Sequence, residues 1–173
     1  MNEEFVEQFL KESNKIEDVH KKDIDFRKAM EDSWKAYEYL KSQDKIGHQE
    51  VKKVHQLILQ RLQPEIAGEY REQQNYIAGH VPPPPSQVTP KMGGLLQEQP
   101  CTKEEALEFH LEFERIHPHL DGNGRAGRII YLVQCENLGV EPELWTYEDR
   151  REYYNLFRED RGEVETQTSN NQK

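Results

Sequence analysis

The segment Ile116-His117-Pro118-His119-Leu120-Asp121-Gly122-Asn123-Gly124-Arg125-Ala126-Gly127-Arg128 constrains this chain more than any other. It gathers three glycines, two arginines, two histidines and an acid, and the apolar run Ile129-Ile130-Tyr131-Leu132-Val133 follows at once. That run reads as a buried helix, so the glycines fall at its N-terminal mouth. Free backbone N–H groups and the positive end of the helix dipole converge there and make an anion site, with phosphate the leading candidate. Glycine lets the backbone turn and approach a ligand closely. The segment lacks the Gly-Lys-Ser/Thr ending of a P-loop. It also lacks the strand and the Gly-x-Gly-x-x-Gly spacing of a dinucleotide fold.

Composition narrows the partners. The chain has 173 residues, enough for one domain with a sizeable core, and a formal net charge of −10. An acidic chain of this kind is a poor candidate for binding nucleic acid or an anionic membrane, which both favour a basic face. Cys101 and Cys135 form no Cys-x-x-Cys pair, which points to a reducing, cytoplasmic setting without a metal cluster. The N-terminus is acidic, and no signal peptide or membrane span is expected.

The remaining chain reads as helices. Phe5, Val6, Phe9 and Leu10 predict a short amphipathic helix over residues 3–11, followed by a cap or turn at Ser13-Asn14-Lys15-Ile16-Glu17-Asp18. Phe26, Met30, Trp34, Tyr37 and Leu40 predict a helix within 19–40. Val51, Val54, His55, Ile58, Leu59 and Leu62 mark a face of a helix over 48–63, ended by Pro64, with His55 a satisfied core histidine. Gly68 to Val81 reads as an extended hairpin or loop, and Pro82 to Pro85 as a stiff extended tract. Val88, Met92, Leu95 and Leu96 predict another helix. Thr102 and Glu105 predict a capping box that opens a helix delivering His117. Gly139 should stop the helix after the glycines, and a last helix should run from Tyr147 to about residue 160. Residues 162–173 are polar and expected to be disordered, which leaves one domain over 1–161.

The residues at the anion site suggest phosphate chemistry. Neutral His117 can accept a proton. Asp121 offers a hard oxygen suited to Mg²⁺ shared with phosphates. Arg125 and Arg128 can each grip phosphate in bidentate fashion.

The segment resembles the signature of the Fic family, His-Pro-Phe-x-(Asp/Glu)-Gly-Asn-Gly-Arg-x-x-Arg. Every fixed position matches except one, where His119 replaces Phe. A buried imidazole there must find a partner or leave the loop looser. The resemblance implies an all-α Fic-type domain with a small β-hairpin flap. It implies adenylyl transfer (AMPylation), in which a Ser, Thr or Tyr hydroxyl of a target protein attacks the α-phosphate of ATP. By position, His117 is the base and Asp121 holds Mg²⁺. Gly122, Asn123 and Gly124 form the anion hole. Arg125 meets the β-phosphate and Arg128 the γ-phosphate. Ile77 on the flap covers the nucleotide, and Tyr153 falls at an adenine-pocket tyrosine. Arg161 stands near a usual Asn. A target segment would dock on the flap at about 75–81 as an added strand. The Ser13-to-Asp18 segment resembles the family's inhibitory motif Ser/Thr-x-x-x-Glu-Gly/Asn, with Ser13 and Glu17 in place and Asp18 substituting. This implies the subclass whose inhibitory helix (about 11–18) precedes the domain core, and in which Glu17 should pair with Arg128. Such a protein can also remove AMP if Glu17 orients a water. The alternatives are a vestigial Fic-fold binding module and a transferase using another nucleotide donor. Homo-oligomer formation stays open.

Overall fold

The computed structural model describes residues 1–19, 25–77 and 81–157. Among them there are seven helices: α1 Glu3–Ile16, α2 Phe26–Lys41, α3 His48–Leu59, α4 Pro85–Leu95, α5 Lys103–Ile116, α6 Asn123–Asn137 and α7 Arg150–Asn155. The all-α expectation holds. No helix is long and apolar enough to cross a membrane among these residues.

Helix α6 is the axis. It packs against α1, α2, α3 and α5, while α4 covers α5. From Arg125 to Cys135 each of its residues is buried. A helix that is apolar nearly all round has to be enclosed, and this is why its N-terminal turn sits deep in the molecule.

Local chemistry sets the ends. The Thr102 hydroxyl accepts the Glu105 N–H (3.1 Å), as a capping box requires. The Glu105 carboxylate, however, takes the Cys101 N–H (2.7 Å), one residue before the expected Thr102. Gly139 has φ +68° just past α6, the left-handed stop read from the sequence. Helix α3 ends at Leu59 and continues only as turns, earlier than expected, and α7 begins at Arg150 rather than Tyr147. There, Arg150 donates to the Tyr147 carbonyl (2.7 Å) and the Thr146 and Asp149 side chains bond each other (2.6 Å). Residues 158–173, including Arg161 and the expected tail, lie outside the described residues.

One expectation is corrected. Helix α1 does not stop at residue 11. It runs to Ile16 because Asn14 and Ser13 find buried partners; the Asn14 side chain donates to the Leu10 carbonyl and to Ser33 Oγ, both at 2.9 Å. Of the hairpin expected over 70–81, Ile77 forms a bridge and residues 78–80 lie outside the described residues. Pro82 to Pro85, which follow, offer no backbone N–H, and side chains bond their carbonyls. Gln74 donates to the Pro82 carbonyl (2.9 Å) and Arg71 to the Pro83 carbonyl. Pro85 is itself the first residue of α4, where a missing N–H costs nothing.

Candidate active site

The site lies where α5 ends and α6 begins. His117 caps α5 in a left-handed conformation (φ 49°) that few non-glycine residues adopt. Arg71 holds it there. The Arg71 backbone N–H donates to the Pro118 carbonyl (2.9 Å), its Nε to the His117 carbonyl (2.8 Å) and its Nη2 to the Ile116 carbonyl (3.3 Å). This buried guanidinium ties the loop after α5 to the base of the 70–83 segment. Sequence reasoning missed it, since an arginine in a polar loop normally faces water.

The turn from His119 to Asn123 is closed by one amide. Asn123 Oδ1 accepts the His119 N–H (2.8 Å), and its Nδ2 donates to the His119 carbonyl (2.9 Å). Asn123 therefore shapes the loop and presents the backbone of Gly122 and Gly124 to a ligand. Gly122 has φ +76°, and a Cβ there would come 2.9 Å from Leu59. Asp121 Oδ1 accepts the Gly122 N–H (2.6 Å) and Oδ2 accepts the Gln63 amide. Gln63 was also invisible from the sequence.

His119 replaces the family's Phe by stacking. Its ring lies 3.6 Å from that of His55 at an interplanar angle of 5°. His119 Nδ1 donates to the Glu69 carbonyl (2.8 Å), so one polar atom is satisfied. His119 Nε2 has no hydrogen-bond partner among the described residues. His55 Nδ1 accepts the Gly68 N–H (2.9 Å), leaving Nε2–H to donate to the Asp121 carbonyl (2.8 Å). Burial pushes His55 down to about 4 and His119 well below its ordinary value, so both rings are neutral. His55 is indeed a satisfied core histidine, and it supports the loop directly.

On the other flank, α1 closes the mouth of α6. Arg128 Nη2 donates to Glu17 Oε1 (2.7 Å) and to the Ser13 carbonyl (3.0 Å). Its Nε donates to Ser13 Oγ (2.9 Å) and its Nη1 to Tyr153 Oη (2.9 Å). The Glu17 carboxylate rests on Gly124: a Cβ built there would collide with Glu17 Oε1 and lie 3.0 Å from Arg128 Nη1. Asp18 takes φ 53°, the left-handed C-terminal position where Gly and Asn are the easy residues. Tyr153 is buried against Trp145 and Phe157 (ring centroids 4.8 and 5.0 Å), and its hydroxyl also bonds His110 Nε2 (3.0 Å).

The remaining groups have fewer partners. Burial pushes His117 down to about 4, so its ring is neutral at physiological pH. Arg125 is buried, and its Nε has no hydrogen-bond partner among the described residues. Ile77 is half-buried, beside Tyr76, which is 76% exposed. No group of three His, Cys, Asp or Glu side chains able to hold a metal occurs among the described residues.

The family model for the Fic/DOC family matches residues 45–135, and the chain belongs to that family. It is similar to the protein adenylyltransferase Fic of Nematostella vectensis, 29% identical over 123 residues, covering 66% of this chain and 29% of that protein. The protein of the same name in Culex quinquefasciatus is 30% identical over 121 residues, covering 66% of this chain and 24% of its own length. The chain thus spans under a third of these curated relatives. In structure it resembles Fic-1 from C. elegans, with TM-score 0.75 and 21% identity over 90% of this chain and 55% of that one. A Fic domain containing signaling protein from Bacteroides thetaiotaomicron also gives TM-score 0.75, at 19% identity over 90% and 71%.

Proposed function

We propose that this chain is a protein adenylyltransferase held silent by its own first helix. Its substrates are ATP and a Ser, Thr or Tyr hydroxyl of a target protein. The observation that carries the reading is the ion pair of Glu17 with Arg128 over Gly124 at the N-terminus of α6. A carboxylate already occupies the place where helix N–H groups and a buried arginine would receive phosphate. The N-terminal inhibitory subclass follows from the same contact.

In the active arrangement the target hydroxyl gives its proton to His117 Nε2 and its oxygen attacks the α-phosphate. The bond to the β-phosphate breaks and pyrophosphate leaves. Arg125 and Arg128 neutralise charge on the β- and γ-phosphates; the unpartnered Arg125 Nε supports that role. Gly122 and Gly124 leave the backbone open to the phosphates. The donor set fits Mg²⁺ only as a companion of the nucleotide, since no group of three His, Cys, Asp or Glu side chains able to hold a metal occurs among the described residues and Mg²⁺ shares ligands with substrate phosphates. Asp121 would hold the ion, which supplies charge neutralisation when bound. Ile77 and the neighbouring 75–81 segment cover the nucleotide and dock the target; the exposed Tyr76 and Val81 on either side support this. Tyr153 reaches the base only if its aromatic cluster opens, and in the silent state it steadies Arg128. The free cysteines Cys101 and Cys135 fit a cytoplasmic setting.

The test uses ATP labelled at the α- or the γ-phosphate with the Glu17→Gly variant. Adenylyl transfer predicts protein labelling from the α-label alone. Labelling from the γ-label would make the protein a kinase. No labelling from any nucleoside triphosphate would favour a vestigial binding module.

A further inference from the structure

Helix α5 carries a second titratable group to the catalytic loop. Glu114 sits one turn before His117, with its side chain only 10% exposed. Its Oε2 lies 3.9 Å from His117 Nδ1, and its backbone approaches the same ring. Glu114 Oε1 and His117 Nδ1 both lack a hydrogen-bond partner among the described residues. A buried carboxyl oxygen and a buried ring nitrogen on neighbouring side chains, each without a partner, are costly unless function requires them. Gly127 makes the arrangement fit, since a Cβ there would come 2.8 Å from Glu114 Oε1.

We propose that Glu114 is a positioning residue that sets the tautomer of His117, and that Glu17 acts on the base through it. The inference rests on the proposed transfer reaction. As a carboxylate, Glu114 accepts Nδ1–H, which leaves the Nε2 lone pair free for the target hydroxyl. When Nε2 takes that proton, the imidazolium stands beside a negative charge, as in a Ser-His-Asp site. As a neutral acid, Glu114 donates its own proton to Nδ1. The ring then carries its hydrogen on Nε2 and cannot accept another.

The charges around Glu114 decide between these states. Burial pushes its carboxyl up to about 8; Arg128 from α6 opposes this, and Glu17 from α1 adds to it. Arg71, Glu17 and Asp121 face His117 itself. In the silent protein Glu114 is therefore mostly protonated at neutral pH. Removing the Glu17 carboxylate removes one of the charges that keep it so. Glu17 thus silences the site twice, by occupying the phosphate position and by holding the base in its unreactive tautomer.

The experiment reads the ring nitrogens of His117 by ¹⁵N NMR from pH 6 to 9, in wild type and in the Glu17→Gly and Glu114→Gln variants. The expected result is an Nε2–H tautomer at neutral pH that gives way to Nδ1–H as pH rises. The crossing should move to lower pH in Glu17→Gly and disappear in Glu114→Gln. A His117 tautomer independent of pH, or one unchanged in Glu114→Gln, overturns the proposal. This readout needs no turnover, so it stands even if no transfer is found. Where transfer is measured, kcat of Glu17→Gly should climb with pH along the same crossing while KM for ATP stays level. Adding Glu114→Gln should flatten the climb, and adding Glu114→Asp should restore part of it. A merely structural Glu114 would leave the shape of that profile untouched.

Discussion

The two arginines of the signature sit one turn apart on α6 and live in opposite circumstances. Arg128 is saturated, donating to Ser13, Glu17 and Tyr153 with every nitrogen. Arg125 is equally buried, yet its Nε goes unpartnered among the described residues. The contrast extends to their neighbours. Beside Arg128, Ser13, Glu17 and Tyr153 bond its guanidinium, whereas toward His117 and Glu114 several buried atoms have no hydrogen-bond partner among the described residues. Buried groups left unpaired mark where a ligand is expected, and a saturated arginine marks where one has been replaced. Under the proposed function, α1 stands where the end of the nucleotide would lie and leaves the middle of the site open.

The contrast can be broken most severely at the base. His117→Ala in the Glu17→Gly background should cost ~10²–10⁴-fold in transfer rate, because general-base loss has that size. Nucleotide binding, measured by calorimetry, should survive, since the arginines and the α6 N-terminus are untouched. Transfer near the parent rate would reassign the base.

Asp121→Ala in the same background should abolish Mg²⁺-stimulated transfer and the Mg²⁺ dependence of ATP binding. Titrations with and without the ion check this. Retained stimulation would mean that the ion is held elsewhere.

A third variant probes the waiting flank through its scaffold. Arg71→Ala removes a buried cation that grips the carbonyls of Ile116 and His117. Hydrogen bonds to charged groups contribute about 1.5–3 kcal/mol each, so a stability loss of ~3 kcal/mol in urea unfolding is expected. kcat should fall with it, because the left-handed backbone at His117 loses its clamp.

The smallest effect concerns the stacked histidines, and its sign is fixed by linkage. His55 titrates near 4 in the fold and near 6.5 unfolded, so the unfolded chain binds the extra proton first. The neutral ring's contribution is intact above 6.5 and is lost as pH falls from there toward 4, up to ~3 kcal/mol for that depression. His119 acts in the same direction. Glu114 has the opposite sense: its raised value favours the fold at low pH and gives that up as pH climbs from about 4.5 to 8. His119→Phe should flatten the acid limb of the pH–stability curve and leave transfer at neutral pH little changed.

Much of this was legible in the sequence. The helical periods at Val51 to Leu59 and Ala106 to Ile116 mapped onto α3 and α5, and the glycine-rich signature fell at the mouth of α6. The pairing of Glu17 with Arg128 was readable from the two motifs together. What escaped were charged and polar residues whose burial comes from distant chain. Arg71 and Gln63 lie in polar stretches and meet the loop only through tertiary folding. Glu114 sits beside the apolar stripe of its helix, where a glutamate usually faces water; its spacing of three from His117 was the one available signal. The hairpin reading rests largely on residues 78–80, which lie outside the described residues.

The central claim is that the Glu17–Arg128 pair displaces the phosphates, and a side-by-side rate measurement tests it most directly. Wild type, Glu17→Gly and Arg128→Ala are incubated with α-labelled ATP at saturating concentration and initial labelling rates compared. A phosphate displaced by about 1 Å costs ~10²-fold in rate. Glu17→Gly should therefore label at least ~10²-fold faster than wild type. Arg128→Ala should stay near the wild-type rate, because it frees Glu17 but loses the γ-phosphate contact. Equal labelling by wild type and Glu17→Gly would contradict the account and leave Glu17 an ordinary helix-end carboxylate.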